Sequence, residues 1–181
     1  MINRYHNLIV ITHWLSAMVV IGTLGLGMGV LADMHNSNPD KIDVLRIHMI
    51  GGMFILIMSS IRIAVRLWKP VPSCDHFENP WLNRAAHWMH ILLYVVLLGI
   101  LTSGVGISVL PGLPEIVFQG IGQLPSTFRF YPPHATHGAL AGIFTILLLL
   151  HIIAATYHQL IRNDGIFARM WFGRVNNMQK Q

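Results

Sequence analysis

The chain has 181 residues, of which 54% are hydrophobic and 10% charged, and its formal net charge is +5. A charged fraction this low excludes an ordinary soluble domain, in which about a quarter of the residues are charged. The positive charge does not indicate nucleic-acid binding, because the basic residues cluster at the ends of apolar segments. The single cysteine, Cys74, excludes an internal disulfide. We expect one domain over residues 1–181.

Four long apolar segments, taken in chain order, predict four transmembrane helices. The first follows Arg4, the second ends in basic residues before Pro70, the third begins after Pro80, and the fourth opens at Pro132. Each is longer than the ~20 residues that a helix needs to cross the bilayer core. We therefore expect an all-α integral membrane four-helix bundle with spans over residues 8–32, 43–67, 83–110 and 134–162.

The segment from Leu113 to Tyr131 is apolar but interrupted by glycine and proline. This composition predicts a loop that lies on the membrane surface or caps a site, and no further span.

The basic residues predict the orientation of the chain. Three lie on one side of the predicted bundle: Lys41, Arg46 and Arg129. The other nine lie on the opposite side: Arg4, Arg62, Arg66, Lys69, Arg84, Arg162, Arg169, Arg174 and Lys180. Because cytoplasmic loops carry the excess of Lys and Arg, we expect both termini in the cytoplasm.

The fourth predicted helix carries histidines inside its apolar run. His137, Phe144, His151 and His158 recur every seven residues and therefore share one helix face. The first two histidines of this set are separated by ~21 Å along the helix axis, within a hydrocarbon core ~30 Å thick. Ionisable groups at such a depth are costly, so a functional interpretation is the default.

Depth below the nearest charged or proline boundary pairs four of the eleven histidines. His13 and His151 each lie ~14–17 Å from the arginine nearest their predicted cytoplasmic boundary. His48 and His137 each lie five residues from the periplasmic boundary of their helix. The predicted couples are therefore His13 with His151, and His48 with His137.

Other histidines compete less well for these couples. His87 and His90 are shallower than His151, and His134 lies at the rim beside His137. Each intramembrane histidine also has a simpler explanation, which is a hydrogen bond to a neighbouring helix.

Two facing imidazoles favour haem over a bare metal ion. Zinc and copper sites use three or four clustered ligands, and no thiol or carboxylate accompanies either couple within its span. A haem iron takes four nitrogens from its porphyrin and needs two axial ligands. Since the chain lacks a C-x-x-C-H motif, we expect two non-covalent haem b groups, with His13, His48, His137 and His151 as iron ligands.

Short motifs around these histidines resemble one family. The first helix opens with R-Y, seven residues and H-W-L; the second contains R-I-H-M-I-G-G, the third A-A-H-W-M-H, and the fourth H-G-A-L and H-x6-H. In order and spacing the chain resembles the prokaryotic cytochrome b561 family over essentially its whole length. The cytochrome b subunits of nickel–iron hydrogenases and formate dehydrogenases are similar in plan.

The resemblance implies a function in the bacterial inner membrane. In that family the first and second helices each ligate one haem and the fourth helix ligates both, and electrons pass between the two haems and a quinone. One branch of small members is a superoxide oxidase, which passes an electron from periplasmic superoxide to ubiquinone. Superoxide is an anion, so a positively charged entrance would attract it. The first periplasmic loop does not fit this expectation well, because Asp33, Asp40 and Asp43 accompany its basic residues.

The resemblance also suggests roles for further residues. Arg46 and Arg129 are candidates for attracting superoxide or pairing with haem propionates, since guanidinium binds carboxylates bidentately; Arg46 is equally explained as an anchor at the membrane rim. His158 is a candidate for protonating a quinone at the cytoplasmic side, and His87 and His90 for lining the same pocket. The alternative for these three histidines is anchoring of the helix ends at the interface.

Three classes of function remain open at this point. The first is a stand-alone quinone-linked oxidoreductase, with superoxide as one candidate substrate. The second is an electron-transfer subunit that docks a soluble redox protein or dehydrogenase. The third is a haem-free metal permease, for which Met49-x-x-x-Met53 is an isolated indication.

Overall fold

The computed structural model describes residues 5–68, 80–162 and 167–171. In these ranges the chain is helical and contains no strand. The helices are α1 (Asn7–Leu26), α2 (Lys41–Trp68), α3 (Pro80–Val109), α4 (Leu113–Gln119) and α5 (Pro132–Tyr157). One π-helical turn extends α1 over Gly27–Leu31, and another extends α5 over His158–Arg162.

Four of these helices are long and apolar enough to cross a membrane. They cover Asn7–Leu31, Lys41–Trp68, Trp81–Val109 and Pro132–Arg162, and their ends differ from the predicted spans by no more than two residues. The predicted all-α four-helix membrane fold is confirmed. Its physical reason is that a helix satisfies all of its own backbone hydrogen bonds where no water is present.

The long helices form two pairs, α1 with α2 and α3 with α5. His13 near the start of α1 contacts Arg62 near the end of α2, and His90 near the start of α3 contacts His151 near the end of α5. Each pair is therefore antiparallel. We call the end of the bundle where α1 and α3 begin the terminal end, and the opposite end the α4 end.

The interior consists of two apolar clusters. Val20, Ile55 and Phe144 form the central one, half-way along the bundle. The other lies at the α4 end and contains Leu45, Leu113, Ile116, Val117 and Phe128. The outward helix faces are also apolar, as expected for helices that contact lipid.

The segment from residue 113 to 131 is not the plain loop that its composition predicted. Its first seven residues form α4, whose Leu113, Ile116 and Val117 are buried. Gly112 and Gly120 bound the helix with φ values of 73° and 70°, a left-handed conformation that glycine adopts without strain. The apolar residues recur at helical spacing, so burying one face against α2 and α3 stabilises a helix in place of a loop.

The end of the described chain folds back onto the start of α1. The indole Nε1 of Trp14 donates to the Met170 carbonyl at 2.7 Å, and its ring contacts those of Phe167 and Trp171. These aromatic side chains cover the terminal end next to His13. Of the basic residues used to predict orientation, Arg4, Lys69, Arg174 and Lys180 lie outside the described residues, as does Cys74.

Candidate functional site

Each long helix contributes two positions, fourteen residues apart, to two layers across the bundle. Fourteen residues are close to four helical turns, so both positions point to the same side. The α4-end layer contains Gly27, His48, Gly104 and His137. The terminal-end layer contains His13, Arg62, His90 and His151.

In the α4-end layer the rings of His48 and His137 face each other. Their centroids are 6.1 Å apart and their planes are inclined by 71°. Nδ1 of His137 lies 3.0 Å from the Ile100 carbonyl, an acceptor that orients a ring N–H and leaves Nε2 free as a ligand. Nδ1 of His48 is buried and has no hydrogen-bond partner among the described residues.

A cavity of about 1400 Å³ surrounds this pair. Its lining includes Phe144 at the bundle centre and Lys41, Arg129 and His134 at the α4 end. The volume exceeds the ~300–1,000 Å³ of typical ligand pockets, so its size is sufficient for a ligand as large as a porphyrin.

Two glycines keep the space beside these rings open. A Cβ atom at Gly27 would lie 3.0 Å from Cε1 of His48, and one at Gly104 would lie 3.1 Å from Cε1 of His137. Any larger residue at either position would displace the ring. Helices α2 and α5 therefore supply the imidazoles of this layer. Helices α1 and α3 supply glycines, which leave the space beside the rings free.

In the terminal-end layer His151 lies near two other histidines. The centroid of its ring is 6.5 Å from that of His13 and 5.5 Å from that of His90. Nδ1 of His90 lies 2.7 Å from the Ala86 carbonyl. Arg62 approaches His13, with Nη1 2.8 Å from Nδ1 of the ring.

The separation within both predicted couples fits an iron with two axial imidazoles. A metal–imidazole bond is about 2 Å long, so two such bonds in line place the nitrogens about 4 Å apart. Adding the half-width of each ring gives about 6 Å between centroids, close to the separations in both predicted couples and equally close to the 5.5 Å between His90 and His151. In the α4-end layer the donor set, the open glycine faces and the cavity together fit a bis-imidazole haem.

Three other residues singled out in the sequence, His87, Phe144 and His158, lie outside both layers. His87 is exposed, with its ring 6.4 Å from that of Trp88. His158 is half-buried in the π-helical turn that ends α5, and its ring is 5.7 Å from that of Tyr157. Phe144 is buried in the central cluster between the layers.

The two predicted arginines differ in their surroundings. Arg46 donates from Nε and Nη2 to the Val117 carbonyl at 3.0 and 2.7 Å, and from Nη1 to Asp43 at 2.6 Å. Its guanidinium thus fastens α2 to α4 and does not line the cavity. Arg129 is exposed and does line it.

Sequence reasoning missed two cations near the site. Lys41 is only 4% exposed, donates to the carbonyls of Leu31 and Met34, and lines the cavity. From the sequence, Arg62 was interpreted only as one of the basic residues at the membrane boundary. Its fourteen-residue distance from His48, the same as between His137 and His151, was the available signal.

Comparison with known proteins identifies the family. The sequence model described as "Prokaryotic cytochrome b561" matches residues 4–173. The chain belongs to the prokaryotic cytochrome b561 family. As a cytochrome b561 it is a membrane b-type cytochrome that binds haem and takes part in electron transfer, which confirms the resemblance drawn from the motifs.

Three curated relatives extend this assignment. Cytochrome b561 homolog 2 of Escherichia coli K12 is 28% identical, over 92% of this chain and 90% of the relative. Cytochrome b561 homolog 1 of the same organism is 23% identical, over 93% and 97%. A protein of Yersinia pestis described as "Probable superoxide oxidase CybB" is 26% identical, over 68% of this chain and 72% of the relative.

Proposed function

We propose that this cytochrome b561 is a dihaem protein that transfers electrons across the bacterial inner membrane, from a periplasmic donor to a quinone at the cytoplasmic side. The observation that supports this most is the pair of imidazole couples at centroid separations of 6.1 and 6.5 Å. The couples are ~21 Å apart along α5, which is enough to span most of the hydrocarbon core.

In this proposal His48 and His137 hold one haem b, and His13 and His151 hold the other. Bound haem supplies one-electron exchange at its iron, with a potential that the axial ligands and their surroundings set. The protein fixes the ring of His137 through the Ile100 carbonyl. The central cluster of Val20, Ile55 and Phe144 excludes water between the two sites.

The orientation in this proposal follows the basic residues. The terminal end lies in the cytoplasm and the α4 end in the periplasm, as the positive-inside rule predicts. The cavity around His48 and His137 then extends to the periplasmic end of the bundle, the side from which a periplasmic donor would approach.

Superoxide is the donor that we propose first. The Yersinia pestis relative is described as a probable superoxide oxidase. At the α4 end Lys41 and Arg129 line the cavity, and such cations attract an anion. An alternative donor is a soluble redox protein or a partner dehydrogenase; turnover of the purified protein with superoxide and a quinone, without any partner, distinguishes the two.

The haem assignment is tested by quantifying haem in purified protein by the pyridine haemochrome method. We expect two haem b per chain in the wild type and one in either His137→Ala or His13→Ala, with a different spectral component lost in each. His87→Ala is the matched control, because this histidine is exposed on α3 and lies outside both layers and the cavity. One haem in the wild type, or loss of both components in a single-site variant, would contradict the assignment.

The quinone part of the proposal depends on His158. It lies seven residues beyond His151, which is roughly 10 Å closer to the cytoplasm. At that distance the imidazole can protonate a quinone head but cannot ligate the same iron, and His87 and His90 would line the same pocket. We expect His158→Ala to keep both haems and to slow haem reoxidation by ubiquinone about 10²-fold. Wild-type reoxidation kinetics in a fully loaded variant would remove this role from His158.

A further inference from the structure

The two layers differ in what faces the paired imidazoles. In the α4-end layer the positions opposite the rings are Gly27 and Gly104, which bring no side chain. In the terminal-end layer the corresponding non-ligand positions are Arg62 and His90. The same helical register therefore provides empty space at one end of the bundle and a fixed positive charge at the other.

Three contacts hold the guanidinium of Arg62 beside His13. Nη1 lies 2.8 Å from Nδ1 of His13 and donates to Oγ of Ser16 at 3.3 Å. The guanidinium carbon lies 5.9 Å from the ring centre of Tyr94 on α3. If His13 ligates iron through Nε2, its proton is on Nδ1, which then cannot accept from Arg62, so the guanidinium keeps Oγ of Ser16 and the ring face of Tyr94 as its partners.

The charge of Arg62 is not compensated by a carboxylate in the described part of the chain. The ion pair found there, between Arg46 and Asp43, is at the other end of α2. Nε of Arg62 is buried and lacks a hydrogen-bond partner among the described residues. Because arginine stays protonated in proteins, this is a permanent positive charge inside a membrane-spanning helix.

We propose that Arg62 raises the reduction potential of the terminal-end haem above that of the α4-end haem and so directs electrons to the terminal end. This inference rests on the proposed dihaem function. In the transfer one electron leaves the α4-end site, which is oxidised, and enters the terminal-end site, which is reduced; no proton moves. A nearby positive charge favours the reduced state, because reduction lowers the net positive charge of the iron.

The test is a spectroscopic redox titration of purified protein carrying two haems, with Arg62→Gln, Arg62→Met and Arg62→Lys. For the two neutral variants we expect the equilibrium constant for reducing the terminal-end haem to fall about tenfold or more, and a tenfold fall corresponds to 59 mV for one electron. The α4-end haem keeps its potential, and Arg62→Lys restores most of the wild-type value. His13→Ala and His137→Ala identify which titration component belongs to which end.

Arg84→Gln is the matched control. Arg84 is an exposed arginine at the same end, over the ring of Trp81 at 5.1 Å, so its loss changes the net charge equally but away from His13. We expect it to leave both potentials unchanged.

Three results would overturn the inference. One is an unchanged terminal-end potential in both neutral variants, and another is an equal shift in Arg84→Gln. The third is loss of the terminal-end haem from both Arg62→Gln and Arg62→Met, which would make Arg62 a haem-retaining residue. Failure of the dihaem proposal is distinct from all three, because it would already be evident as fewer than two haems in the wild type.

Discussion

At the scale of single residues, the α4-end site depends as much on two glycines as on two histidines. The Cβ positions at Gly27 and Gly104 are within 3.0 and 3.1 Å of the imidazoles of His48 and His137. These separations are shorter than ordinary van der Waals contact. The glycines therefore fix where each ring can stand and keep the cavity beside it open.

Replacing Gly27 by alanine tests this role. We expect Gly27→Ala to push the His48 ring aside and to weaken haem retention at the α4 end about tenfold, the usual size of an effect on ligand positioning. The matched control is Gly25→Ala on the same helix, where an added Cβ meets nothing within 4 Å. Haem content measured during dilution should fall in the first variant and stay constant in the second; equal retention in both would mean that the ring has room to adapt.

Single residues also show how much of the candidate site could be predicted from the sequence. The histidine couples could be predicted because a helix converts sequence spacing into depth, and depth alone selected His13, His48, His137 and His151. Arg62 has the same fourteen-residue spacing from His48, but spacing gives only depth, and an arginine near the end of an apolar helix also fits a membrane-boundary residue. Only the packing of α1 against α2 reveals that it contacts His13.

At the scale of elements, the long helices were predictable and α4 was not. A run of more than 20 apolar residues has few alternatives in a bilayer. A seven-residue helix is unstable alone, and α4 exists because tertiary contacts bury Leu113, Ile116 and Val117. Its attachment to α2 through Arg46 depends on a backbone carbonyl, that of Val117, which no residue pattern encodes.

This attachment predicts a structural role for Arg46. We expect Arg46→Ala to destabilise the α4 end by about 1.5–3 kcal/mol, because a charged donor is lost from the Val117 carbonyl. The pair with Asp43 adds little, since its two side chains are 43% and 72% exposed. Thermal unfolding monitored by absorbance of the α4-end haem measures the change. Asp43→Asn removes the charge of the exposed partner but keeps both donors from Arg46 to Val117, so it should leave the transition nearly unchanged; matching losses would argue against a specific attachment.

At the scale of the whole molecule, the two ends of the bundle differ in charge. Among the described residues the terminal end carries Arg62, Arg66, Arg84, Arg162 and Arg169, and the α4 end carries Lys41, Arg46 and Arg129. In the proposed orientation the excess of arginine keeps the terminal end in the cytoplasm. One of these arginines, Arg62, contacts His13, which we propose as a haem ligand, so the same asymmetry would also affect electron transfer.

The orientation can be tested with two single cysteines in a Cys74→Ser background. Phe130 at the α4 end and Trp68 at the terminal end are both 82% exposed, so Phe130→Cys and Trp68→Cys are matched in accessibility. With the α4 end in the periplasm, a membrane-impermeant maleimide added to intact spheroplasts should label Phe130→Cys and spare Trp68→Cys, and lysis should make both reactive. Labelling of Trp68→Cys before lysis would show that the terminal end lies in the periplasm, opposite to the prediction. The proposed haem beside Arg62 would then be on the donor side of the membrane.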